Sequence, residues 1–160
     1  MKTIKAKQLS KEAFNEYGSF YNLLEPRGHN LGTFYHDHVL FPVAGNKVVG
    51  FSALVCAKGE KMVISAAEYH NTTGEMILSL DGDVIVHVAP PSTKPVPELT
   101  EAFYVPAGTL VKLNAGVWHL APFAVNTEVT HLMIALPERT YMNDCVVVEY
   151  PLEDQIEVIL

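Results

Sequence analysis

The chain is short of cysteine, of basic residues and of long apolar runs, and each shortage removes a class of function. Its two cysteines, Cys56 and Cys145, stand far apart and form no C-x-x-C pair, so they read as reduced, partly buried thiols rather than a bridge. Eleven Lys and Arg are scattered among eighteen Asp and Glu, for a net charge of −7. A nucleic-acid partner needs clustered cations and is excluded. No apolar run approaches a membrane span, which excludes a membrane partner. The opening Met1-Lys-Thr-Ile-Lys-Ala-Lys7 lacks the apolar core of a signal peptide, so cytoplasm is the expected compartment. No Ser/His/Asp order, phosphate-cradling loop or basic stripe is present, and no internal repeat.

What remains is an apolar chain of ordinary domain size. Of 160 residues, 49% are hydrophobic and 18% charged, which argues for one folded domain over residues 1–160. Leu9 to Tyr17 reads as a short helix, with Ser10 as N-cap, Glu12 in the first turn and Gly18 as its stop. Phe20 to Leu24 reads as a short strand and Glu25 to Asn30 as a loop. Strands are expected over 47–55, 61–70, 75–80, 84–89, 102–105, 110–113, 128–136 and 145–149. Asp81-Gly82 between apolar runs predicts a hairpin. Pro90, Pro91, Pro95 and Pro97 forbid a central strand there and predict a surface loop. Many short strands spaced by turns predict an all-β protein, best fitted by a jelly-roll barrel with a short N-terminal helix outside it.

The chemistry concentrates in Glu68-Tyr-His70-Asn-Thr-Thr-Gly-Glu75. Glu68 and His70 alternate onto one face of a strand. Asn71 to Gly74 is a turn signal that would return the chain as an adjacent antiparallel strand carrying Glu75. Two carboxylates and an imidazole would then converge, with His119 as a fourth candidate ligand for a divalent metal. Close Glu/His pairs also arise by chance on strand surfaces. The apolar flanks, Met62 to Ala67 and Met76 to Leu80, favour the site, because polar groups inside such strands must be satisfied or functional.

His70-x4-Glu75-x6-Gly82 resembles the second half of the first cupin motif, and Pro106-Ala-Gly108 the opening of the second. The resemblance implies a metal held in a jelly-roll mouth by Glu68, His70, Glu75 and His119, with Glu68 where that motif has its first His. Leu9 to Gly18, Tyr35-His-Asp37, Glu68-x-His70, Ala102 to Pro106 and, above all, Gly116-Val-Trp-His119 with Pro122 resemble the ureidoglycolate lyase family. That resemblance implies cleavage of ureidoglycolate to urea and glyoxylate in purine degradation, by a homodimer. Two departures stand out: Leu113-Asn114 replaces a Tyr-His, and Cys56 falls where the family carries an Arg. Losing a cation and an imidazole points to a different substrate, or to none.

Several roles follow as expectations. Glu68 or Glu75 would serve as the base. Lys112 and Asn114, two apart on one strand, would offer a charge and an amide to a small-molecule substrate if their face points inward; a solvent-facing Lys112 is the plainer reading. Trp118 would wall the pocket or belong to the core. His36 and His38 would line the site or a dimer contact, with a plain surface role the simpler reading of His38, whereas His87 and His131 read as core or edge histidines. Mixed N/O ligands suit Zn, Mn, Fe and Ni alike. The competing function is a non-catalytic cupin that binds a sugar or metabolite.

Overall fold

A computed structural model describes residues 1–45 and 47–160. The strands run β1 Lys2–Lys5, β2 Lys7–Gln8, β3 Gly18–Asn22, β4 Val49–Ala57 and β5 Met62–Ile64. They continue with β6 Ala66–Tyr69, β7 Glu75–Ser79, β8 Val84–Ala89, β9 Glu101–Val105 and β10 Thr109–Leu113. The last are β11 Trp118–His119, β12 Phe123–Ala124, β13 Val129–Pro137, β14 Val146–Glu149 and β15 Ile156–Ile159. Helices α1 Lys11–Phe14 and α2 Thr140–Asn143 are one turn each. Among the described residues no helix is long and apolar enough to cross a membrane.

Three sheets stack as layers. The first has order β3-β10-β7-β13-β4, and the second β14-β6-β11-β8-β9-β2 with β12 beside β8. Between them lies the main core, where Ile77, Val111, Leu113 and Leu132 of the first meet Val84, Val86, Val88, Phe103 and Val105 of the second. These two sheets form an unclosed jelly-roll barrel. The third sheet, β1-β15-β5, covers the outside of the second and builds another core from Ile64, Ile156 and Val158 against Ile85, Ala89, Ala102 and Trp118. The middle sheet is therefore buried on both faces, and every residue of β8 is buried. That is why Val84 to Ala89 is a continuous apolar run rather than an alternating one.

Most expected strands are present within a residue or two, and the differences share a cause. The strand expected over 61–70 is two strands in different sheets, broken at Ser65, whose carbonyl accepts from the Tyr150 amide at 2.8 Å. Asp81-Gly82 is not a hairpin: β7 and β8 belong to opposite sheets. Nor does Asn71 to Gly74 join neighbours, since β6 lies in the second sheet and β7 in the first. Jelly-roll corners use the same turn residues as hairpins but carry the chain across the barrel. Asp81 instead accepts from the amide and Nδ1 of His131 at 2.8 and 2.6 Å.

The helix is shorter than expected because Gly18 already opens β3 and pairs with Leu113. Ser10 caps it, its hydroxyl accepting from the Ala13 amide at 3.2 Å. Its anchor is Phe14, fully buried in the main core, with its ring edge-on to Phe103 at 5.2 Å. Phe14→Ala is expected to cost about 3–5 kcal/mol, the usual range for removing a buried aromatic. Guanidinium unfolding should show a lower midpoint with an unchanged slope. A wild-type midpoint would show that α1 does not hold the barrel.

Candidate metal centre

Glu68, His70, Glu75 and His119 offer ligand atoms that all lie within 4.8 Å of one another. Both principal sheets contribute. Glu68 on β6 is register-paired with His119 on β11, and His70 follows at the end of β6. Glu75 opens β7 on the opposite sheet, and its alternation with Ile77 points it into the barrel. Two glycines make the approach possible. Gly74 has no room for a Cβ, which would lie 2.2 Å from the Leu113 carbonyl oxygen. Gly116, at φ +81°, turns the chain into β11 and donates its amide to the His70 carbonyl at 2.7 Å.

The hydrogen bonds fix which nitrogens face inward. His70 Nδ1 lies 2.7 Å from the Asp144 carbonyl and His119 Nδ1 2.9 Å from the Val117 carbonyl. A carbonyl can only accept, so each Nδ1 carries a proton and donates it. Both Nε2 atoms then converge on one oxygen, Glu75 Oε2, at 3.0 and 3.2 Å. If the rings are neutral, two nitrogen lone pairs confront a carboxylate. Only protonated imidazoles or a cation between them resolve that. Burial alone would raise the Glu75 carboxyl, yet the bonds from His119 and His70 hold it down at about 2. Burial would likewise lower His119, but the Glu75 bond and charge outweigh it and raise the imidazole above its ordinary 6.5. The donor chemistry fits a divalent metal: two imidazole Nε2 atoms aimed inward, two carboxylates, and main-chain carbonyls fixing both rings from behind.

Cys145 stands next to this cluster, its thiol donating to Glu68 Oε2 at 3.2 Å. Burial, then the bond to Glu68, pushes the thiol up to about 12. Nothing in the local sequence marked it, because it lies 77 residues from its partner.

The expected substrate residues lie elsewhere. Val111 and Leu113 fill the barrel core, so Lys112 between them faces outward. There its Nζ donates to Asn114 Oδ1 at 2.6 Å, and Asn114 Nδ2 reaches the Glu16 carbonyl at 3.5 Å. Partial burial lowers the Lys112 ammonium below its usual value. The inward reading of Lys112 and Asn114 is thus corrected. Trp118 is 1% exposed, but in the core behind the middle sheet, with Nε1 donating to Ser92 Oγ at 3.0 Å. Adjacent residues of a strand point to opposite faces, so the Trp118 ring lies on the face opposite the His119 Nε2 that meets Glu75. His87 is buried on that rear face too, whereas His131 is exposed and bonded to Asp81. His38 stacks between Tyr21 and His29 at 4.1 Å from each, in a separate loop cluster.

A jelly roll that gathers His and Glu side chains from facing strands into its interior is a cupin. Within that class the chain belongs to the ureidoglycolate lyase family, whose model matches residues 1–158. No curated protein matches it. Among solved structures it is similar to a dTDP-6-deoxy-D-glucose-3,5-epimerase from Legionella pneumophila Philadelphia 1 in complex with dTDP-4-keto-L-rhamnose. The identity is 12% and the TM-score 0.49, over 70% of this chain and 59% of that one. It is also similar to a dTDP-4-dehydrorhamnose 3,5-epimerase from Elizabethkingia anophelis NUHP1, at 13% identity and TM-score 0.41, over 71% and 56% of the chains. The chain spans less than two thirds of the length of either structure.

The titrations set a pH window for the metal-free protein. Glu75 is depressed from 4.5 to about 2, so its stabilisation is complete above 4.5 and lost as pH falls toward 2. His119 is raised, so its stabilisation is complete below 6.5 and lost as pH rises through its elevated value. His87, lowered to about 3 by burial, costs stability as pH falls below 6.5, so melting temperature with chelator present should peak near 6.5. Metal must displace a proton from His119, so affinity should rise with pH above that value. A melting curve flat from pH 4 to 9 would contradict the ion pair.

Proposed function

We propose that this protein is a metal-dependent enzyme of the ureidoglycolate lyase type, releasing urea and glyoxylate from ureidoglycolate. The observation that carries this reading is the convergence of Glu68, His70, Glu75 and His119 inside the barrel of a chain of this family. A divalent cation on these side chains would supply charge to polarise a substrate oxygen. Glu68 is the carboxylate suited to proton transfer. It is half-buried where the other three ligands are buried, and Glu75 is committed to both imidazoles. Glu68 takes the carbinol hydroxyl proton as the C–N bond breaks, leaving the aldehyde of glyoxylate, and returns a proton to the departing urea nitrogen.

The reading places the chain in purine degradation, as one barrel domain over residues 1–160. It also places it in the cytoplasm, which its two free thiols favour. A homodimer is part of it. The edge strand β4 leaves Phe51 and Val55 exposed at 71% and 58%, an apolar face suited to a second copy. Phe51→Glu should shift sedimentation at micromolar concentration from dimer to monomer; a monomeric wild type would remove the dimer.

One observation favours the alternative of a non-catalytic metabolite-binding cupin. Lys112 faces outward and Cys56 sits in the main core, so neither supplies a cation to a substrate carboxylate. Urea and glyoxylate release by the metal-loaded protein decides between them. His119→Ala should abolish turnover, and Lys112→Ala should leave KM within about twofold, since an exterior lysine contributes no substrate binding energy. Metal binding without turnover would move the binding reading ahead.

A further inference from the structure

Asp144 and Cys145 stand between α2 and β14, and together they touch two of the four ligands and the turn that links the ligand strands. The Asp144 amide donates to the Thr140 carbonyl at 2.8 Å, so the short helix α2 fixes where the residue lies. Its own carbonyl accepts from His70 Nδ1 at 2.7 Å. Its carboxylate accepts from the amides of Asn71 and Thr72, each at 2.8 Å, and from the Thr72 hydroxyl at 2.6 Å. Cys145 then donates its thiol proton to Glu68 Oε2 at 3.2 Å. Four successive constraints thus bind β6, the turn 71–74 and the approach to β14 into one unit. The ligands they orient sit 74 and 77 residues away in sequence.

We propose that Asp144 and Cys145 are positioning residues of the metal centre, Asp144 by fixing the His70 ring and the 71–74 turn, and Cys145 by holding the Glu68 carboxylate from outside the ligand set. The inference rests on the metal reading of that cluster. The Asp144 carbonyl commits His70 Nδ1 as a donor and leaves Nε2 free to ligate. The Asp144 carboxylate keeps the turn closed, so Glu75 on the facing sheet meets His70 across the barrel. The Cys145 thiol occupies one lone pair of Glu68 Oε2 and restricts the rotation of its carboxylate. Partners of this kind around metal ligands typically govern affinity by about 10- to 100-fold.

The test is cobalt(II) binding to the purified full chain, followed by visible absorption and by competition with a chelator of known affinity. Cys145→Ala and Asp144→Ala should each weaken cobalt binding by about tenfold or more. Cys145→Ser keeps a hydroxyl donor and should recover most of the loss, a rescue that a bulk packing role would not produce. Thr72→Val, an exposed and nearly isosteric change, removes one carboxylate contact and should weaken binding by a smaller factor if Asp144→Ala does not fold. The wild-type spectrum should lack an intense thiolate-to-cobalt charge-transfer band. Such a band would make Cys145 an inner ligand and overturn its assigned place. Wild-type affinity in Cys145→Ala and Thr72→Val would overturn the inference while leaving the centre standing. A wild-type protein that takes up no cobalt, zinc, manganese or nickel would instead sink the metal reading itself.

Discussion

The constraint on which the rest of this structure depends is one buried carboxylate oxygen facing two imidazole nitrogens. Glu75 sits inside the barrel, where an isolated charge is costly, and it is held in the charged form by His70 and His119. Both imidazoles are committed from behind, through Nδ1, to main-chain carbonyls. The rings therefore cannot turn to relieve the contact. Positive charge is needed between the three groups, from a proton on the raised His119 in the metal-free protein or from a metal ion. A barrel filled by aliphatic residues would be simpler to stabilise, and removing any one partner from this cluster would leave an uncompensated buried group.

The layering of the sheets explains why the site lies where it does. The middle sheet has a core on each side, so neighbouring residues on its strands serve different cores. On β11, Trp118 packs behind the sheet and His119 reaches into the barrel. On β6, Tyr69 goes with Trp118, their rings 4.5 Å apart, while Glu68 and His70 go with His119. A one-residue slip in either strand would exchange the two sets and place the ligands in an aliphatic layer. The third sheet thus does more than bury surface. It makes the register of the ligand strands costly to change.

This also marks how far the sequence could be read. Glu68, His70 and Glu75 were legible because their spacing and apolar setting are local features, and the strand alternation that groups Glu68 with His70 needs no tertiary knowledge; His119, 44 residues from Glu75, was legible through the resemblance of Gly116-Val-Trp-His119 to the family signature. The all-β architecture was legible from strand and turn periodicity. Connections were not. Asn71 to Gly74 and Asp81-Gly82 carry the residue types of hairpins, but the chain crosses between sheets at both, and turn chemistry alone does not say which sheet receives the next strand. The direction of Lys112 failed for a related reason. Two-residue alternation groups Lys112 with Asn114, but which face is interior is set by what Val111 and Leu113 pack against. Cys145 and Asp144 were invisible as site residues because their partners lie more than seventy positions away.

The same geometry narrows what the departures from the family pattern mean. Cys56 is buried among the core side chains on β4 and is register-paired with Thr130. Burial raises its thiol, which keeps it neutral. An Arg at such a position would bring a guanidinium into the barrel interior, where it would need a carboxylate to satisfy it. A neutral, compact Cys asks for no such partner. The change therefore removes a cation without disturbing the four ligands, which stand on β6, β7 and β11. The candidate metal ligands and Cys56 stand on different strands. The residue at position 56 can therefore differ from the family pattern while the four side chains of the cluster keep their places on their own strands.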